Sequence, residues 1–344
     1  MAAIHETLEW QGGIDGHLDL LDQTLLPAEL VVLKLRTLDP LIDAIKRLAV
    51  RGAPAIGCAA AYGMVIGVRE AVADDSQSFD AAVESVGDRL DASRPTAVNL
   101  GWAVARLRER AGKEPSLDAL LDEAHAIKKE DEDLCLRMGD AGAELIEDGM
   151  TVLTHCNAGR LATGGDGTAL AVMFAAKRRG TNFHALADET RPLLQGVRLT
   201  ALELAAEDIP VDVIADSAAA GLIARGVVDL IITGADRVAA NGDVANKVGT
   251  YGLSLAAKEH NIPMYVVAPF STFDFAIPDG SHIPIEERDP QEVLAIGGMS
   301  LAPEGVGARN PAFDVTPAAH LAGLVTDRGL ITPVTTERIK EVLG

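Results

Sequence analysis

Residues 227–250 read V-V-D-L-I-I-T-G-A-D-R-V-A-A-N-G-D-V-A-N-K-V-G-T. The opening run, 227–233, is rich in β-branched residues and too short for a helix, so it is expected as a strand buried on both faces of a parallel sheet. Gly234 frees the backbone to turn, which brings Asp236 and Arg237 just past the strand's carboxyl end. Asn241-Gly242-Asp243 then supplies turn chemistry, and a helix-like segment is expected to open at Asn246-Lys247. Ligands of an open parallel sheet bind in the crevice outside the carboxyl ends of its strands. Asp236 is therefore a candidate functional carboxylate, and the competing reading is a turn former or helix cap.

Outward from this stretch the same rhythm repeats. Apolar runs at 151–156, 182–187, 211–215 and 263–268 are separated by helix-length segments, the pattern of βαβ units with right-handed crossovers. The fold class is α/β, and a Rossmann-like parallel-sheet domain is expected over 149–344. Residues 277–312 are rich in Pro and Gly and read as a long loop excursion with one strand. Thr316-Pro317 is expected to cap a helix reaching Leu324, with a short helix in the tail.

The stretch 1–148 reads differently. Short extended pieces over 4–36 predict a small antiparallel sheet. From Asp39-Pro40 the period turns helical, with Leu41, Ile42, Ile45, Leu48 and Ala49 on one stripe. R-G-A-P-A-I-G-C-A-A-A-Y-G, residues 51–63, is a helix of very small residues with Pro54 in its first turn, where a missing N–H costs nothing. An acidic loop near Asp74-Asp75 precedes a helix over 79–91. Arg94-Pro95-Thr96 opens another through Arg110, and Ser116 caps a long one to Glu147 that Gly149 ends. This is a small N-terminal sheet plus a helical bundle.

Composition narrows the function. At 344 residues, 48% hydrophobic but only 3% aromatic, the chain must fill its core with aliphatic side chains. A formal net charge of −21 speaks against nucleic acid and against an anionic membrane surface, since both need a basic face. Cys58, Cys135 and Cys156 show no metal-ligand spacing. No secretory leader is read at the N-terminus, and no run approaches the ~18 apolar residues of a membrane span. A cytoplasmic protein with reduced thiols is expected.

Against so acidic a background, an anionic ligand needs local cations. Arg51 precedes Gly-Ala-Pro and Arg94 precedes Pro-Thr, so each brings a guanidinium to an expected helix N-terminus, where free N–H groups already favour an anion. With Lys247 they would form a phosphate site. The first strand of the second stretch ends T-H-C-N-A-G-R-L-A-T-G-G-D-G, residues 154–167. Cys156 thus stands where Asp236 stands on another strand, ahead of a Gly-rich loop, in a setting that can lower a thiol's pKa. His155 points to the opposite face and reads as packed. After the next strand, Asp188, Glu189 and Arg191 read as a solvated cluster, while Gln195 beside Gly196 at a helix start is the better ligand candidate. G-G-D-G is not G-x-G-x-x-G, so no dinucleotide is expected.

R-G-A-P-A-I-G, T-H-C-N-A-G-R-L-A-T, D-E-T-R-P-L-L-Q-G-V-R-L-T-A-L-E-L, T-G-A-D-R-V-A-A-N-G-D-V-A-N-K-V-G-T-Y and N-P-A-F-D-V-T-P together resemble the S-methyl-5-thioribose-1-phosphate isomerases of methionine salvage, in family order from about Leu8 to Leu330. The resemblance implies that Cys156 and Asp236 are the catalytic thiol and proton donor. It implies that Arg51, Gly52, Ala53, Arg94, Gln195, Asn246 and Lys247 hold the sugar phosphate. It further implies a homodimer that needs no metal or organic cofactor. The run at 295–306 departs from the family pattern. The superfamily that the resemblance implies also holds ribose-1,5-bisphosphate isomerases and the regulatory subunits of a eukaryotic initiation factor's nucleotide-exchange complex, and 5-deoxyribose 1-phosphate stays open as substrate because methylthio and deoxy groups would meet the same apolar wall. A bisphosphate would demand a second cationic cluster, and a regulatory subunit has no need of Cys156 and Asp236. In the isomerase reading Asp236 sits protonated in an apolar pocket and opens the sugar ring; the hydrogen then passes from C2 to C1 either as a proton through Cys156 or as a direct hydride shift with Cys156 stabilising charge, and the sequence does not choose between them.

Overall fold

Three short strands open the structure, a computed structural model that describes residues 6–73, 77–94 and 98–344. β1 (Leu8–Gln11), β2 (His17–Leu21) and β3 (Val32–Leu35) form the expected antiparallel sheet in the order β1-β2-β3. Its apolar face presents Leu8, Trp10, Leu18 and Leu20, all buried. Trp10 stacks on Tyr62 at 5.4 Å between ring centroids. Tyr62 belongs to the helices that follow: α1 (Leu38–Lys46), α2 (Ala53–Ala73), α3 (Phe79–Ser93), α4 (Val98–Lys113) and α5 (Leu117–Gly142). The loop expected at Asp74-Asp75 and the helix opening expected at Pro95-Thr96 lie outside the described residues.

α2 is the centre of this bundle. Its glycines admit close neighbours, since a Cβ on Gly63 would stand 2.6 Å from Leu41 Cδ2 and one on Gly67 2.6 Å from Val86 Cγ1. The helix is long and apolar enough to cross a membrane, which corrects the expectation that no run approaches that length. Ala and Gly dilute its apparent hydropathy in the sequence, yet no charge interrupts it before Arg69. Its residues Ala55–Val68 are buried against the rest of the bundle, so its apolar surface is spent on the protein core. Ser116 accepts from the Ala119 N–H at 3.2 Å and caps α5 as expected. α5 ends at Gly142, short of Glu147, with a tighter turn after it.

The second stretch alternates as read: β4 (Thr151–Thr154), α6 (Ala169–Arg178), β5 (His184–Asp188), α7 (Ala201–Ala206), β6 (Val211–Ile214), α8 (Ala219–Ala224) and β7 (Leu230–Thr233). Here β7 starts later than expected. Asp229 turns its carboxylate to the Thr151 N–H at 2.7 Å, and Val227 is exposed. β8 (Arg237–Ala239) and β9 (Val244–Lys247) then form an antiparallel hairpin around Asn241-Gly242, with Gly242 at φ 89°. This corrects the helix expected to open at Asn246-Lys247: Val244, Ala245 and Asn246 are buried in a strand, and the helix α9 (Thr250–His260) begins later. Next come β10 (Met264–Val267), β11 (Phe273–Asp274), α10 (Gln291–Leu294), the small hairpin β12 (Ala295–Ile296) and β13 (Met299–Ser300), β14 (Phe313–Thr316), β15 (Gly323–Thr326), β16 (Gly329–Ile331) and α11 (Thr336–Leu343). The helix expected from Thr316-Pro317 to Leu324 shrinks to one tight turn, Ala318–His320: Phe313–Thr316 pairs with β9, and Leu324 and Val325 are wholly buried in the main sheet.

The main sheet has seven strands in the order β16-β15-β10-β7-β4-β5-β6, parallel except at β16. A smaller sheet runs β11-β8-β9-β14. By packing, the chain divides into Met1–Cys135 with Ala158–Gly167, and Leu136–Asn157 with Thr168–Gly344. The stretches 1–148 and 149–344 expected as domains differ from this division within α5 and at the loop after Cys156.

Candidate active site

The direction of winding in the main sheet reverses between β4 and β7. These strands are parallel neighbours, with Val152 opposite Leu230 and Leu153 opposite Ile231. From β4 the sheet grows through β5 and β6, and from β7 through β10 and β15. A crevice opens outside the carboxyl ends at such a switch point. Cys156 follows β4 and Asp236 follows β7, so the two candidate catalytic groups leave the sheet on either side of the reversal.

Cys156 is half-buried and holds a left-handed backbone, φ 63°. A residue with a Cβ costs about 1–3 kcal/mol there and persists only where its surroundings impose the conformation. Two hydroxyls bind the flanking peptide groups: the Cys156 N–H donates to Thr190 Oγ1 at 2.9 Å, and its carbonyl accepts from Thr200 Oγ1 at 2.6 Å. Thr190, also at φ 63°, donates its own N–H to Asp216 Oδ1 at 2.7 Å, and the Arg191 N–H donates to Asp216 Oδ2 at 2.7 Å.

His155 is packed, as expected. Its Nε2 donates to the Val248 carbonyl at 2.8 Å and its Nδ1 meets Asp188 Oδ2 at 2.7 Å. Asp188 is 1% exposed, which corrects the solvated cluster expected at Asp188, Glu189 and Arg191. Burial disfavours an imidazolium here, but the Asp188 hydrogen bond and charge and the Val248 carbonyl outweigh it and raise the His155 pKa above its ordinary value. Because Nε2 must carry a hydrogen for Val248, one further proton lies between Nδ1 and Oδ2 and keeps the pair neutral overall. Asp216 lies close enough to His155 and Asp188 to complete a metal-ligand cluster. Both imidazole nitrogens are already engaged, however, and both Asp216 oxygens accept backbone N–H groups.

Asp236 donates its backbone N–H to the Ala245 carbonyl at 2.9 Å. Its side chain is exposed. The sequence reading expected this side chain to be buried in an apolar pocket, and its exposure corrects the burial. Asn246 and Lys247 stand on β9. Asn246 Nδ2 donates to Thr250 Oγ1 at 3.0 Å, and the Lys247 ammonium donates to the Ala312 carbonyl at 3.0 Å while lying 4.9 Å from the Phe313 ring centre. Gln195 is buried at the mouth of a π-helical turn, Gly196–Thr200, and its Oε1 has no hydrogen-bond partner among the described residues. A buried amide oxygen left open is costly unless a ligand satisfies it.

The remaining predicted residues belong to the first unit. Arg51 donates from Nε to Gln23 Oε1 at 3.3 Å just before α2. Gly52, at φ 86°, lies so close to Ala162 that a Cβ would stand 2.3 Å from its carbonyl oxygen, and Ala53 is the exposed first residue of α2. The helix N-terminus expected at Arg51 is thus present. Arg94 follows α3 as its C-cap, and the helix start it was expected to precede falls on undescribed residues. Sequence reasoning placed Thr190 in the loop after β5 without a role, took Asp188 as solvated, and missed Thr200. Asp188 left a further signal, as an acid closing the strand beside that of His155.

The Initiation factor 2 subunit family matches residues 49–333. A methylthioribose-1-phosphate isomerase from Syntrophotalea carbinolica is 53% identical over 323 residues, 92% of this chain and 94% of that one. The chain belongs to the methylthioribose-1-phosphate isomerase family. Within reach of that family is a 5-deoxyribose 1-phosphate isomerase from Moorella thermoacetica, 50% identical over 336 residues, 96% of each chain. The crystal structure of a 5-methylthioribose 1-phosphate isomerase from Pyrococcus horikoshii superposes with a TM-score of 0.91 at 42% identity, covering 98% of this chain and 96% of that one. Like these isomerases, the chain is an α/β protein and an aldose–ketose isomerase by descent.

Proposed function

We propose that the protein interconverts S-methyl-5-thio-α-D-ribose 1-phosphate and S-methyl-5-thio-D-ribulose 1-phosphate, a step of methionine salvage. The observation that carries this reading is the delivery of a thiol and a carboxyl group by the two adjacent strands that flank the switch point. The anomeric carbon carries the phosphate, so no free aldehyde exists until the ring opens. Asp236 gives its proton to the ring oxygen as the bond from C1 to that oxygen breaks. Cys156, as thiolate, removes the C2 proton, and the electron pair forms the C1–C2 double bond of an enol phosphate. The C2 hydroxyl then returns a proton to Asp236 while the Cys156 thiol protonates C1, which leaves the ketose and both groups as they began. Oxidation at C2 balances reduction at C1, so the reaction consumes no external oxidant. A substrate seated over the exposed Asp236 supplies the desolvation that favours its neutral form.

In this reading Arg51, Gly52, Ala53, Arg94, Gln195, Asn246 and Lys247 hold the sugar phosphate. The open Gln195 oxygen suits a sugar hydroxyl, and the Lys247 ammonium offers charge to phosphate. The active form is a cytoplasmic homodimer. A second reading, isomerisation of 5-deoxyribose 1-phosphate, is favoured by the Moorella relative's name. Ketose formation from 5-methylthioribose 1-phosphate, 5-deoxyribose 1-phosphate and ribose 1,5-bisphosphate, compared by kcat/KM, tests both. The reading predicts the first to be best and the last to be poor. Equal inertness of all three overturns it.

A further inference from the structure

Thr190 and Thr200 lie ten positions apart, both wholly buried, on the segment that also carries Gln195. Each hydroxyl has its single proton and its acceptor role assigned by its neighbours. Thr190 donates to the Asp188 carbonyl at 3.1 Å and accepts the Cys156 N–H; Thr200 donates to the Cys156 carbonyl and accepts from Asn157 Nδ2 at 3.1 Å. Asn157 is in turn tied to Glu203 Oε1 at 2.6 Å. Neither hydroxyl can rotate without breaking a bond. The two peptide groups on either side of the Cys156 Cα are thereby gripped by side chains from one short segment, at the residue whose backbone is strained.

We propose that Thr190 and Thr200 are positioning residues for Cys156, a two-point clamp that imposes its left-handed backbone and so sets where Sγ points. With the clamp lost, the backbone relaxes toward the extended region and the direction of the Cα–Cβ bond changes with it. Because Gln195 sits between the two threonines, the clamp also locks the thiol to the segment that presents the open amide, so a ligand on Gln195 and the sulfur move as one body. This rests on the reading that Cys156 acts in the isomerisation. Misplacing a reacting group by about 1 Å costs on the order of 10²-fold in rate.

The test uses the full chain with Thr190→Val and Thr200→Val, each paired with its serine variant. Expected results are a fall in kcat of about 10²-fold with KM held within about threefold, recovery to within about threefold of wild type in Thr190→Ser and Thr200→Ser, and slower alkylation of Cys156 by iodoacetamide in the valine variants. A merely structural role would lower thermal stability without separating kcat from KM. Valine variants that fold and keep kcat and alkylation near wild type overturn the clamp, as do serine variants as impaired as valine. If a valine variant does not fold, the alanine variant replaces it under the same criteria. Alkylation needs no substrate: if the wild type isomerises none of the sugar phosphates while the valine variants still slow alkylation, the isomerase reading fails and the clamp stands.

Discussion

His155 Nδ1 and Asp188 Oδ2 lie 2.7 Å apart, and each side chain is 1% exposed. Removing one member leaves the other buried without its partner, which costs about 3–5 kcal/mol. His155→Gln is accordingly expected to lose stability on that scale in chemical denaturation at neutral pH, and His155→Gln combined with Asp188→Asn to lose less than the sum of the single changes. The sign of the pH dependence follows from the raised imidazole pKa. Its contribution is complete below the unfolded value near 6.5 and is lost as pH rises through the folded value.

Asp131 supplies a second pH effect within the first unit. Its carboxylate accepts the Gly164 N–H at 2.6 Å, but burial dominates and pushes its pKa up to about 6. The folded chain then holds a proton that the unfolded chain releases near 3.8, so stability falls as pH rises through about 6. Asp131→Asn keeps an acceptor for Gly164 and removes the buried charge. The expected gain at pH 7.5 is about 1–2 kcal/mol, discounted because the residue is only half-buried, and it vanishes near pH 4. Thermal melts at the two pH values check this.

Gly52→Ala meets both obstacles a side chain can meet, a positive φ and a backbone carbonyl 2.3 Å away. A loss of at least about 1 kcal/mol is expected. The same shift would displace the peptide beside Arg51, so KM for the sugar phosphate is expected to rise more than kcat falls. Steady-state kinetics on the purified variant decides the matter.

Asp236→Asn cannot donate a proton to the ring oxygen. A general acid contributes about 10²–10⁴-fold, and turnover should fall by that factor with the fold intact, since the side chain is exposed. Near wild-type turnover would remove Asp236 from the mechanism.

Reaction in deuterated water separates the routes open to Cys156. Solvent deuterium at C1 of the ketose is expected for transfer through the thiol. Complete retention of the original hydrogen would favour a direct shift from C2 to C1.

The parallel sheet was legible because its inner strands are buried and read as apolar runs, as in 151–156, 182–187 and 263–268, while the edge strand within 211–215, half-exposed and interrupted by Asp212, showed through its β-branched residues and its spacing. The hairpin β8–β9 was not. Val244-Ala245-Asn246-Lys247 puts a buried Asn where a strand signal wants an apolar residue, and only the bond from Asn246 to Thr250 explains its place. The same limit hid β15, whose Gly323 start follows Pro317 closely enough to mimic a capped helix. The placement of Cys156 and Asp236 just past strand ends was readable because strand ends announce themselves by composition. Thr190 and Thr200 were not, since a hydroxyl that grips a distant main chain leaves no periodicity. The exposure of Asp236 was equally hidden, because it depends on how far the turn after Gly234 projects.

Residues Ala158–Gly167 pack with the unit that the polypeptide leaves at Cys135, and Gly52 is shaped to receive Ala162. Neither unit is therefore a contiguous cassette. A fragment begun at Leu136 would display Leu161 and its neighbours with nothing to cover them, a few residues from Cys156. Gene dissection, domain swapping between relatives and display of the second unit alone should all yield insoluble or inert products unless that ten-residue excursion is redesigned.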